Sequence, residues 1–409
     1  MDPIPVLREL AHRFDHLPET RLQRQPQHRL GEMLLIALCS LLSGGRSFND
    51  MEDFGIAHEQ WLSLFMELPG GIPCHDTFNR LFAALDTHAF EQSLREWAAG
   101  LSAPELAPGT GPSGLRHLAL DGKSLRGSQR GAAGRARQVV NVLCVERGLV
   151  LAQRQVPQEG SEIVHARFVL KGLDLTRALV TADAAHAQAE TAAQIIEQGG
   201  NYLLCVKGNQ PGTHAQIQAH LDELAAGQAA HAQSVDKEHG RIEERRLWLS
   251  HDVEALSVRG QWKGLGSVAL VESRREILNG NGQAPSVSVE RRYYLCSLEE
   301  PKAKASKESF SQQAAQLLQR TRAHWHIENS LHWPLDVLWG EDACRARTRN
   351  AATNLSAMRK VAMNLLRLCP PPTRRSRKNP PSMRSRMFLA SCTDYYRKLL
   401  IDALTDPLR

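Results

Sequence analysis

Apolar positions in the first hundred residues recur at helical spacing. HRLGEMLLIALCSLLSG closes at Gly44 and Gly45, NDMEDFGIAHEQWLSLFMEL follows, and DTFNRLFAALDTHAFEQSLREWAAGL makes a third segment. Asp76, shortly after Pro73, is the N-cap expected for that segment. SAPELAPGTGPSG is rich in Pro and Gly and poor in large apolar residues, so it reads as a linker. From Leu115 the pattern becomes that of strands. LRHLALD is one, and QVVNVLCVE and LVLAQRQV are two more, joined by a turn at Arg147 and Gly148. A helix (EIVHARFVLKGL), a strand (RALVTAD), a second helix (AHAQAETAAQIIEQGG) and a last strand (NYLLCVKGN) complete the run.

Three strands in hairpin succession followed by α, β, α, β is the element order of an RNase H-like domain. In that arrangement the first and fourth strands are neighbours. Beyond it come a polar helix, PGTHAQIQAHLDELAAG, and the β-like stretches RIEERRLWLS, SVALVESRREI and ERRYYLCSL, with a turn signal in NGNGQAP at 279–285. Helical patterning resumes from SFSQQAAQLLQR to NAATNLSAMRKVAMNLLRL. The expected class is therefore α/β. An N-terminal helical domain (1–101) and a linker (102–114) precede an RNase H-like mixed-sheet core in two parts (115–208 and 301–369). A β-rich insertion (209–300) separates the parts, and a basic Pro/Arg-rich tail (370–409) follows, with an amphipathic segment at Tyr395–Leu404.

Charge adds a partner class. The 409 residues carry 50 Lys and Arg against 44 Asp and Glu. Nine basic and three acidic residues between Arg374 and Arg409 account for the whole net charge of +6, and six basic residues accompany the single acid Asp121 between Arg116 and Arg137. Such concentrations suit a polyanion, of which nucleic acid is the commonest. The eight cysteines form no C-x-x-C pair and read as reduced, mostly buried residues of a cytoplasmic protein. MDPIPVLREL lacks the marks of a secretory signal, and MLLIALCSLL at 33–42 is far short of the ~20 residues that span a bilayer, so no membrane partner is expected.

Three acids stand out in this frame: Asp121 in LALDGKSLRG, Asp183 in LVTADAAHAQ and Glu328 in HWHIENSLHW. The first two each end an apolar run, which places a carboxylate where a buried strand meets its loop. Converging carboxylates can hold Mg²⁺ or Mn²⁺, and a pair of such ions can clamp the attacking and leaving oxygens of a phosphoryl transfer. Asp336 shares the helical face of Glu328 two turns on, and spacing alone does not choose between them.

The phrases LALDGKSLRGS, LVTADAAHAQAETAAQIIEQGGNYLLCVKGNQ, HGRIEERR, HWHIENSLHWPLDVLWGEDACRAR and NLSAMRKVAMNLLR, in this order, resemble the DDE insertion-sequence transposases that include the H-repeat-associated proteins. The leading helices resemble that family's N-terminal region, so the likeness covers nearly the whole chain. It implies catalysis by Asp121, Asp183 and Glu328 holding two Mg²⁺ or Mn²⁺ ions. It also implies binding of terminal inverted repeats, cleavage and strand transfer on double-stranded DNA by a homodimer, and a cytoplasmic, nucleoid-associated site of action. A metal-dependent DNA nuclease without strand transfer, or a catalytically impaired DNA-binding remnant, is the alternative.

Lys123, Arg126, Lys207, His324, Arg345 and Arg347 are the expected DNA contacts. His324 and His332 lie four residues either side of Glu328. That spacing could serve zinc, but the absence of H-E-x-x-H and the presence of two aspartates favour a DNA-facing role for both histidines. Trp325 and Trp333 are expected in the core. The sequence also departs from the family: His324 and Leu335 stand where many relatives carry Arg and Lys, and Pro334 is expected to kink or end the Glu328 helix.

Overall fold

The computed structural model describes Phe14, 17–18, 27–101, 114–129, 134–238, 240–277, 286–300, 307–369 and 380–405. Most of the expected linker, the 279–285 turn and the Pro/Arg run at 370–379 lie outside these residues.

Strand β1 (Arg116–Leu125) sets the architecture by alternation. Leu118 and Leu120 enter one apolar cluster and Ala119 another, because successive strand side chains face opposite sides. An antiparallel meander adds β2 (Arg137–Cys144) and β3 (Leu149–Val156) on one edge. Gly148, at φ +66°, supplies the left-handed turn between them. On the other edge β4 (Ala178–Ala182) and β5 (Asn201–Val206) run parallel to β1.

The sheet does not stop at β5. Strands β6 (Ala232–Glu238), β7 (Arg241–Ser250), β8 (Ser267–Ile277) and β9 (Ser286–Cys296) continue it antiparallel, giving the nine-stranded order β3-β2-β1-β4-β5-β9-β8-β7-β6. The β-rich stretch thus extends the core sheet edge to edge. Strand β6 was not expected, since AQSVDKE buries only Ala232 among its described side chains and shows no apolar alternation.

Helices cover both faces. The leading set is α1 (Leu30–Leu42), α2 (Phe48–Ala57), α3 (His75–Ala84) and α4 (Thr87–Leu101). Ser47 caps α2 in a reciprocal box with Asp50. Helix α3 begins one residue before Asp76, so that acid lies in the first turn and Cys74 holds the cap position. Next come α5 (Glu162–Lys171), α6 (Ala189–Glu197) and α7 (Pro211–Gly227), which pack on the face of Leu118 and Leu120. Then follow α8 (Lys307–Ala323), α9 (Trp333–Trp339), α10 (Ala351–Leu368), α11 (Met383–Cys392) and α12 (Asp394–Thr405).

Helix α10 lies between the sheet and the leading helices, and it is buried on all sides, polar residues included. Its polar groups are matched to both neighbours. Asn354 donates to the carbonyls of Phe82 and Leu85 at 2.9 and 3.1 Å, and Asn364 exchanges two bonds with the Val150 backbone at 2.8 and 2.9 Å. Phe78, Phe82, Met358 and Leu365 therefore share one core with Ala119 and Val150 of the sheet. The expected α/β class, mixed sheet and N-terminal helical region are all present.

Candidate active site

The parallel pairing of β1 with β4 ends with Leu120 opposite Ala182. One residue further on, Asp183 follows the end of β4, while Asp121 lies within β1, which does not end there as expected but runs on to Leu125 against β2. Asp121 accepts from its neighbour's Gly122 N–H at 2.9 Å, and Asp183 caps the short turn Ala184–His186 through the Ala185 N–H at 3.1 Å. Burial, and then the charge of Asp183, push Asp121 up to about 7. Two carboxylates this close leave a demand for positive charge.

Glu328 arrives from the other side, on a π-helical turn (Glu328–His332) closed by the Trp333 N–H on the Glu328 carbonyl. Such turns are rare and concentrate at functional sites. Its cause is local. Pro334 has no N–H for the carbonyl four residues back, and Arg367 donates to that Ser330 carbonyl instead, while also reaching the Gly148 carbonyl. The expected kink is thus an expanded turn, after which α9 starts afresh.

Asp121, Glu328 and His332 offer ligand atoms that all lie within 4.8 Å of one another. Asp183 is outside that trio but lines the same cleft of ≈ 460 Å³, together with Lys207, Arg292, His324 and Trp325. Oxygen donors dominate, and hard divalent cations suit them. Asp336 is drawn away: its carboxylate binds the Lys123 ammonium at 2.8 Å, with Asp342 at 3.7 Å from the same nitrogen.

The other expected residues divide. Lys123 is nearly buried in that ion pair, so it ties β1 to α9 rather than facing a phosphate. Arg126 is 80% exposed and lies 3.4 Å from Asp342, and Lys207 is exposed at the end of β5. Arg345 and Arg347 are exposed on the loop after α9, with Arg347 donating to the Gly127 carbonyl at 3.0 Å.

His324 lines the cleft with its ring held by a neighbour, whereas His332 is buried and is not the open DNA-facing group expected. His324 Nδ1 and the Thr181 hydroxyl are 2.9 Å apart, and that hydroxyl is 2.8 Å from buried His117. Burial drives His324 down to about 4, so it carries no charge at neutral pH. His332 is buried against Glu328 and Asp121. The tryptophans differ from expectation in the opposite sense, Trp325 and Trp333 being 53% and 58% exposed.

Arg292 was missed in the sequence. Strand β9 pairs antiparallel to β5 with Tyr293 opposite Val206, which brings Arg292 alongside Lys207 at the cleft, its guanidinium 5.8 Å from the Trp325 ring centre. Only that long-range pairing reveals it.

A mixed sheet with acids on adjacent parallel strands where their pairing stops, and a third acid on a following helical turn, is the architecture of a DDE-type enzyme. A family model described as "Transposase DDE domain" matches residues 112–365, and one described as "DDE_Tnp_1-associated" matches residues 11–98. The chain belongs to the DDE transposase family, with relatives among the H-repeat-associated transposases. It is 31% identical to the H repeat-associated YhhI of Escherichia coli (strain K12) over 365 residues, 88% of this chain and 90% of that one. It is 38% identical over 286 residues, 69% of this chain and 92% of the relative, to an uncharacterized protein in the dhlA 3′ region of Xanthobacter autotrophicus. A solved piggyBac transposase synaptic complex with hairpin DNA aligns at a TM-score of 0.42 and 11% identity, covering 100% of this chain and 85% of that one. No helix among the described residues is long and apolar enough to cross a membrane.

Proposed function

We propose that the protein is the transposase of a bacterial insertion sequence, binding the element's terminal inverted repeats and cutting and joining double-stranded DNA at Asp121, Asp183 and Glu328. The observation that carries this reading is that Asp121, on β1 where its pairing with β4 stops, and Asp183, just past β4, line one cleft with Glu328, which comes to Asp121 from the π turn. The raised affinity of Asp121 for a proton supports a cationic occupant, and the donor set fits Mg²⁺ or Mn²⁺. Two such ions, held by the three carboxylates, would supply a nucleophile of lowered pKa and charge stabilisation for the departing oxygen.

The remaining work falls to the chain's own groups. Lys207 at the cleft would hold a phosphate flanking the scissile bond as a point charge, beside Arg292, whose Nε and Nη2 donate to the Glu290 carboxylate at 2.8 and 3.0 Å. Exposed Arg126, Arg345 and Arg347 would carry the duplex past it. Joining two ends requires them to be held together, so a homodimer on DNA, acting at the nucleoid in the cytoplasm, is the working assembly.

The test is cleavage and joining of a terminal-repeat duplex with Mg²⁺ by the wild-type protein and by Asp121→Ala, Asp183→Ala and Glu328→Gln variants. Losses of 10³-fold or more in each variant are expected, of the order seen when a group acting on transition-state charge is removed. Salt-sensitive DNA binding with equal, background cutting by all four would leave a DNA-binding remnant.

A further inference from the structure

The π turn places a second residue beside the acids. His332 Nδ1 lies 2.9 Å from Glu328 Oε2 and 3.7 Å from Asp121 Oδ2, so this one imidazole spans the helical turn and the strand that carry two of the three acids. The ring is buried, with its side chain only 5% exposed, and its Nε2 has no hydrogen-bond partner among the described residues.

Two roles are open to such a histidine, and the ring's own bonding separates them. A carboxylate only accepts, so the 2.9 Å contact requires the hydrogen on Nδ1, with the lone pair left on Nε2. Ligation of a cation through Nδ1 would force the hydrogen onto Nε2, where no acceptor awaits it, and a buried donor without a partner is costly. Ligation through Nε2 would need that atom to face the cleft, yet it is Nδ1 that faces both acids. We propose that His332 is a positioning residue: its Nδ1–H holds one oxygen of Glu328 so that the carboxylate meets Asp121, without itself binding the cation.

Glu328 needs such a hold. Half of its side chain is exposed, and three rotatable bonds separate the carboxylate from the backbone. A fixed donor from a buried ring removes that freedom before a cation arrives, which is the usual service of an outer-shell partner to a carboxylate ligand. The Lys123–Asp336 pair works two residues further along the strand and on the helix that follows the π turn, clamping β1 to α9.

The proposal rests on the metal-dependent reading of the cleft, and the experiment separates the two. Mn²⁺ binding to the full chain without DNA is measured by calorimetry for wild type, Asp121→Asn, His332→Ala, His332→Asn and His332→Gln. Pulsed electron paramagnetic resonance of the wild-type Mn²⁺ complex accompanies it. The Asn amide can present an N–H near the place of Nδ1, whereas the longer Gln amide reaches toward the place of Nε2. The expected result is a 10–100-fold weakening in His332→Ala and His332→Gln, recovery to within about 3-fold in His332→Asn, and no coupling from a coordinated imidazole nitrogen. Wild-type affinity in His332→Ala alongside loss in Asp121→Asn would overturn the proposal and leave the metal site standing. A coordinated-nitrogen coupling would overturn it by making His332 a ligand. Equal affinities in wild type, Asp121→Asn and His332→Ala would overturn both readings.

Discussion

Asp121 is penalised as an anion by burial, then by Asp183 beside it and to a lesser degree by Glu162, and its carboxyl is pushed up to about 7 from the ordinary 3.8. The folded protein therefore holds this proton more tightly than the unfolded chain. The resulting contribution to stability is whole below pH ~4 and is lost as pH rises through about 7. At pH 8, without metal, Asp121→Asn should raise the Tm by roughly 1–3 °C, corresponding to about 1 kcal/mol, and the gain should shrink at pH 5. Differential scanning calorimetry at the two pH values checks this, and an equal gain at both would contradict it. The proximity of Asp121 and Asp183 was legible because the element order makes β1 and β4 parallel neighbours, although β1 runs past Asp121 to Leu125. The choice between Glu328 and Asp336 was not, since both share a helical face. A salt bridge from a strand 213 residues away occupies Asp336.

At the scale of elements, turn chemistry decides where the basic groups stand. The Arg126–Ser128 turn after β1 packs on the Glu341–Ala343 turn so closely that a Cβ on Gly127 would run into the Cys344 carbonyl and lie 2.9 Å from that of Asp342. Backbone on both sides cannot yield cheaply. Gly127→Ala should destabilise the fold by about 1–3 kcal/mol and loosen the loop bearing Arg345 and Arg347. Gly208→Ala, where a Cβ would meet nothing within 4 Å, should stay within about 0.5 kcal/mol of wild type. Urea midpoints of the two variants give the comparison. The Pro334 departure had a readable consequence, a disturbed helix. Its form was hidden, because the Arg367 that takes the released carbonyl comes from α10.

For the molecule as a whole, the leading helices are structural partners of the catalytic core. Phe78, Leu81, Phe82 and Phe90 are fully buried in a cluster that also holds Ala119 of β1, Leu331 of the π turn and Met358 of α10. Each such side chain contributes about 1.5–3 kcal/mol, so these four alone approach the ~5–15 kcal/mol by which a folded domain is stable. A chain lacking residues 1–101 should show no cooperative thermal transition by circular dichroism and should be cut rapidly by protease. A sharp transition in the shortened chain would instead make the leading helices a separable domain.

The sequence by itself determined most element types, though not β6 or the π turn, and with them the α/β class, the family and the adjacency of Asp121 with Asp183. Periodicity and strand order are local properties that a single chain displays along its length. Tertiary structure alone decided that β9 joins β5 and brings Arg292 to Lys207. It also took Lys123 and Asp336 out of the cleft, and turned His332 toward Glu328. Those outcomes depend on which distant groups satisfy each other's charge and hydrogen bonds once buried, and spacing along the chain carries no record of that.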